Sequence, residues 1–166
     1  MSQSCRLLLI AGVSGSGKTT IGELLAKELG WEFHDGDSYH SKENVAKMAS
    51  GTPLNDADRG PWLASMRTAI EGCLREGRGA VFVASALKES YRRALIGGLD
   101  GTGLVFLHGN FELIRERMEA RPGHYMKAGM LKSQFDLVEW PAGALEIDVS
   151  ATPGDAVMRI REHFHL

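Results

Sequence analysis

Apolar residues fall along the chain in short blocks whose spacing switches between two periods. Leu7, Leu8, Leu9 and Ile10 form an unbroken apolar run, the pattern of a strand covered on both faces of a parallel sheet. A glycine-rich turn follows, and Ile21, Leu24, Leu25 and Leu29 then recur at helical spacing up to Gly30, which predicts a helix over 18–29 with a glycine cap. Trp31 to His34 is a second strand candidate and leads into Asp35-Gly36-Asp37. Glu43 to Met48 predicts a short helix closed by Ser50-Gly51. Acidic capping residues around Asn55 to Asp58, and Pro61 in the first turn, then announce a longer helix burying Trp62, Met66, Ala69, Ile70, Cys73 and Leu74.

Three further strands are expected at Ala80 to Ala84, Leu104 to Leu107 and Ile147 to Val149, each followed by a helical pattern, with glycines at 97, 98, 101 and 103 marking the loop before the fourth. Strands that alternate with helices predict an α/β fold: a three-layer sandwich around a five-stranded parallel sheet with right-handed crossovers. The stretch Pro122 to Lys132 breaks the pattern with two glycines and a proline. It reads as a mobile lid over about 121–132, with an ordinary surface loop as the alternative.

Length supports one domain over residues 1–166, because 166 residues match a single core. Hydrophobic residues make up 43% and charged residues 24%, the balance of a globular chain and not of a disordered one. Nineteen basic against 21 acidic side chains give a net charge of −2, which argues against a nucleic-acid or anionic-membrane binder. Cys5 and Cys73 are too few for a disulfide framework and lack the paired spacing of a zinc site, so a reducing, cytoplasmic setting is expected. No apolar run nears the ~20 residues a membrane helix needs, and Arg6 to Val13 reads as a strand and not as a leader.

The chemistry concentrates after the first strand. Gly12, Val13, Ser14, Gly15, Ser16, Gly17, Lys18 and Thr19 fit G-x-x-x-x-G-K-[ST] between a strand and a helix, the context a phosphate-binding loop requires. Its glycines let backbone N–H groups converge, and the helix adds its positive end. Lys18 supplies a mobile charge for the β- and γ-phosphates, and the Thr19 hydroxyl, followed by Thr20, is placed for Mg²⁺, so ATP with magnesium is the expected ligand. Asn-Lys-x-Asp does not occur, which argues against a guanine-specific switch. The third strand ends at Ala84-Ser85 without an aspartate, so another carboxylate must help hold the metal. Asp35 and Asp37 are candidates to divide metal and substrate work, with a hydrogen-bonded turn as the alternative.

Several blocks together resemble the gluconate kinases: the loop at 12–18, Asp35-Gly36-Asp37 with His40, Lys47-Met48-Ala49-Ser50-Gly51, Pro53-Leu54-Asn55-Asp56 with Asp58-Arg59 and Pro61-Trp62-Leu63, Ser85-Ala86-Leu87-Lys88 with Tyr91-Arg92, and Gly123-His124 with Ser133-Gln134-Phe135. The resemblance spans residues 12 to about 141. It implies the nucleoside-monophosphate-kinase type of P-loop fold, ATP-dependent phosphorylation of the 6-hydroxyl of D-gluconate, a substrate-binding helical segment over about 38–76, and commonly a homodimer. Similarity to the related sugar-acid and shikimate kinases further implies that Asp35 touches Mg²⁺ through water and that Asp37 holds or deprotonates the acceptor hydroxyl. Arg59 is the first choice for the substrate carboxylate, with Lys88 and Arg92 as second choices and His40 as a hydroxyl partner. Kinases of this fold also resemble the chain at Arg117 and Arg121, expected on one helical face opening at Phe111, the first against adenine and the second on the phosphates. An ion-paired helix with Glu112, Glu116 and Glu119 is the alternative.

His124, Tyr125 and Lys127 either close over the site or decorate the loop. His163 and His165 read as a tail, and His34 and His108 as strand-end residues satisfying backbone groups. Met48, Met66, Met118 and Met158 read as core filler.

Overall fold

The computed structural model describes residues 4–122 and 128–166. Among them, strands β1 (Leu7–Ala11), β2 (Glu32–Asp35), β3 (Ala80–Ala84), β4 (Thr102–His108) and β5 (Leu145–Asp148) form one parallel sheet in the order β2-β3-β1-β4-β5. Helices α1 (Lys18–Leu29), α2 (Lys42–Ala49), α3 (Asp56–Arg75), α4 (Glu89–Ile96), α5 (Phe111–Glu119), α6 (Ala128–Leu137) and α7 (Pro153–Phe164) cover its two faces. The α/β three-layer sandwich is therefore present.

The unbroken apolar run of β1 has its explanation in two separate cores. Leu8 and Ile10 pack with Ile21, Leu25, Ile114 and Ile160 on one face, while Leu7 and Leu9 pack with Trp62, Met66, Ile70 and Leu95 on the other. Every residue of β1 and β3 is buried, so neither strand has a polar side to spare.

Several boundaries differ from expectation. Gly103 lies inside β4, where the side chain it lacks would collide with Phe164 and Leu8, so packing and not turn chemistry accounts for that glycine. Helix α3 starts from an Asn55–Asp58 capping box, and Pro61 sits in its second turn, a full turn deeper than predicted. Residues 128–132, assigned to the lid, form the first half of α6. Met158 is 62% exposed and fills no core, unlike Met48, Met66 and Met118. No described helix is long and apolar enough to cross a membrane.

Candidate active site

The phosphate-binding loop forms where β1 hands over to α1. Gly15 and Gly17 both take positive φ, 76° and 96°, so a side chain at either position would strain the turn. The first-turn N–H groups of α1, on Lys18, Thr19 and Thr20, have no helical carbonyl to meet and converge on this turn. Lys18 folds back so that its Nζ donates to the Val13 carbonyl at 2.8 Å. Burial pushes its pKa down to about 8, opposed by the Asp37 and Asp35 carboxylates and assisted by Arg121. The Ser16 hydroxyl is buried without a hydrogen-bond partner among the described residues.

A cavity opens over this loop, lined by Ser14, Gly15, Gly17, Lys18, Thr19, Asp35, Asp37, Ser85 and Arg121, among others. Asp35 ends β2, and its Oδ1 accepts the Asp37 N–H at 2.9 Å, so the hydrogen-bonded turn foreseen as an alternative exists together with the cavity position. Gly36 between them is pinned from two sides: its carbonyl accepts the Trp62 Nε1–H at 2.8 Å, and a Cβ there would lie 2.6 Å from the Val83 carbonyl. Only glycine lets the two aspartates come this close to β3. The Thr19 hydroxyl and the Asp35 carboxylate give this cavity an oxygen donor set, which fits a hard divalent cation.

Beside it lies a groove lined by Gly15, Ser16, Gly17, Thr20, Arg117, Arg121, Val149 and Pro153. Arg117 is tied to the far wall, its Nη1 donating to the Val149 carbonyl at 2.7 Å. Arg121 is not on the same helix, because α5 ends at Glu119 and is capped at Ala120. The two arginines nevertheless line one groove, and Arg121 also reaches the phosphate cavity. The ion-paired arginine of α5 is a third one, Arg115, held by Glu112 at 2.6 Å and by Glu119 at 3.8 Å.

A second cavity is lined by Asp37, His40, Met48, Leu54, Arg59, Trp62, Ser85, Met130, Ser133 and Gln134, among others. It shares Asp37 and Ser85 with the phosphate cavity. His40 stacks on Trp62 at 4.4 Å, and burial lowers its pKa despite the nearby Asp37. Arg59 is half-buried and fixed by its Nη1, which donates to the Leu54 carbonyl at 2.6 Å and to the Tyr91 hydroxyl at 3.2 Å. That hydroxyl donates in turn to Asp56. The bond holds the Asp56 carboxyl below its usual range, with Lys88 contributing next.

Two expected substrate contacts are not brought into this cavity. Lys88 sits at the rim, its Nζ 3.2 Å from Asp56 and above the Tyr91 ring. Arg92 is 2% exposed, and its guanidinium donates to the carbonyls of Ala86, Leu87 and Glu139. It therefore braces the 85–88 turn from behind, because a buried cation must spend its donors on neighbouring oxygens. Gln134 was missed as a site residue. Its Oε1 accepts the Ser14 N–H at 2.6 Å, joining α6 to the phosphate loop across 120 positions of sequence, and the only signal for it was the Ser133-Gln134-Phe135 block. His124, Tyr125 and Lys127 lie outside the described residues, as does the centre of the expected lid.

Comparison with known proteins agrees with the fold. A family model described as an AAA domain matches residues 7–138. A probable gluconokinase of Mus musculus is 44% identical over 153 residues, covering 82% of this chain and 83% of the mouse protein. The thermoresistant gluconokinase of Escherichia coli K12 is 42% identical over 143 residues, with 86% and 81% covered. The crystal structure of a gluconokinase from Sinorhizobium meliloti 1021 superposes with a TM-score of 0.81 at 35% identity, over 99% of this chain and 98% of that one. With a phosphate loop, an aspartate shared between two cavities and this likeness along most of its length, the chain belongs to the gluconokinase family of P-loop proteins.

Proposed function

We propose that the protein transfers the γ-phosphoryl group of ATP to the 6-hydroxyl of D-gluconate, giving 6-phospho-D-gluconate and ADP. The observation that carries this reading is the meeting of the two cavities at Asp37 and Ser85, which lets a hydroxyl on one side face a phosphoryl group on the other. Lys18 and Arg121 neutralise the transferring group, while the groove bearing Arg117 takes the nucleoside. Thr19 and Asp35 would hold Mg²⁺, which would supply positive charge against the phosphates. Asp37 orients the hydroxyl or accepts its proton, and His40 holds a neighbouring hydroxyl. Arg59 receives the carboxylate; its donors other than Nη1 have no hydrogen bond among the described residues.

In this reading residues 38–76 form the acceptor-binding segment of a single domain, and the centre of the lid expected over 121–132 lies outside the described residues. The gluconokinase likeness supports the acceptor segment. We also infer a cytoplasmic homodimer. The unpaired Cys5 and Cys73 fit a reducing compartment, and light scattering of the purified chain tests the assembly. The decisive measurement is ADP release from Mg·ATP with gluconate, shikimate, AMP or no acceptor. Release that depends on gluconate is expected; the same slow rate with every acceptor would sink the proposal.

A further inference from the structure

On the face of β2 turned towards α3, away from the phosphate cavity, three different metal-binding side chains meet. Glu32 and His34 stand two apart on the strand and so share a side, and Cys73 reaches them from the buried face of α3. His34 Nε2 lies 2.9 Å from Glu32 Oε2, Cys73 Sγ lies 3.9 Å from the same oxygen, and all three ligand atoms fall within 4.8 Å of one another. Tetrahedral bonds of zinc-like length would set these ligand atoms roughly 3.3–3.6 Å apart, so shifts of under about 1.5 Å complete the geometry.

The supporting contacts are already in place. His34 Nδ1 is hydrogen-bonded to the Tyr39 hydroxyl at 2.9 Å, which leaves Nε2 for the site, and Phe82 stacks under the ring at 4.3 Å and 6°. Arg78 occupies Glu32 Oε1, leaving Oε2 to face Cys73 and His34, and it shares its charge with Glu76 at 2.7 Å. Metal-ligating histidines and carboxylates are characteristically oriented by such outer hydrogen bonds.

We propose that Glu32, His34 and Cys73 form a binding site for a borderline divalent transition-metal ion of the Zn²⁺ class, separate from the oxygen-lined cavity that suits Mg²⁺. Thiolate and imidazole select such ions over hard cations, and a fourth position remains for water. The Cys73 thiol loses its proton to solvent as the metal–sulfur bond forms. Burial raises the pKa of that thiol, so affinity increases with pH.

The site is tested on the full chain without chelator or nucleotide. Co²⁺ should bind with one equivalent and give a near-ultraviolet thiolate charge-transfer band that Zn²⁺ displaces. Cys73→Ser should abolish the band and Cys5→Ser leave it; a band surviving Cys73→Ser, or no band in the wild type, overturns the proposal. Because a hydroxyl in the core can unfold the chain, Zn K-edge absorption of the wild type gives an independent reading. One sulfur at about 2.3 Å with nitrogen and oxygen near 2.0–2.2 Å is expected, and a shell without sulfur overturns the assignment. Tyr39→Phe removes only the outer hydrogen bond and should weaken Zn²⁺ binding roughly 10- to 100-fold; unchanged affinity refutes the role of His34.

Discussion

The donor and acceptor halves of the active site are built by opposite means. The phosphate side is built mainly on one continuous segment, residues 12–20, which offers main-chain N–H groups and Lys18, with Arg121 reaching in from beyond α5. The acceptor side is gathered from the turn after β2, α2, α3, the turn after β3, and α6, and its walls are side chains held by other side chains and by backbone carbonyls. A backbone cradle keeps its geometry whatever its neighbours do, whereas the acceptor cavity depends on every strut that holds its walls. Substitutions should therefore remove chemistry on the shared border, binding on one side or the other, and stability at the struts.

The largest effect is expected at the border. Asp37→Asn should lower turnover by about 10²–10⁴-fold with nucleotide affinity nearly intact, as read by steady-state kinetics beside titration with a fluorescent ATP analogue. Lys18→Ala should cost about 10²–10³-fold in turnover while circular dichroism and melting stay close to wild type; near-normal activity would place the phosphates elsewhere. Arg59→Ala should raise the gluconate KM roughly 10- to 100-fold and leave the ATP KM alone, and equal changes in both would erase the distinction between the halves.

Nucleotide affinity should also depend on pH through Lys18, whose pKa of about 8 is set first by burial. Below pH 8 the ammonium is already charged. Above it, binding must draw a proton from solvent, because phosphate raises the lysine pKa. Affinity then falls by up to about tenfold per unit as pH rises, until the pKa of the complex is passed. Lys18→Arg, which stays charged, should flatten that profile. The smallest kinetic effect is expected at Arg92→Ala. It should lower unfolding free energy by about 2–4 kcal/mol in a denaturant titration, because three carbonyls lose their donor, with gluconate KM moving only slightly.

The same contrast explains what could be read from the chain itself. Residues 12–19 declare their chemistry because the motif is local and its physics is that of backbone. Asp35 and Asp37 were legible because they close a strand together. Arg59 and Arg92 look alike in sequence, yet one lines a cavity while the other braces a turn, and that difference is set by the Ala86, Leu87 and Glu139 carbonyls that the fold brings to Arg92. Gln134 was marked only as part of the Ser133-Gln134-Phe135 block, since its role comes from touching Ser14 across the fold. Arg121 was placed on a helix that stops just before it, because Pro122 signals an end without fixing which of the preceding residues is the last helical one.

The strand order has one more consequence. Because β3 is threaded between β1 and β2, the carrier of the triphosphate and the carrier of the aspartate pair stand two ladder steps apart, roughly 10 Å. The tip of that intervening strand is the floor on which both reactants must rest, and it ends in Ala84 and Ser85, two of the smallest side chains available. A bulky residue there would wedge the reactants apart without touching any charged group.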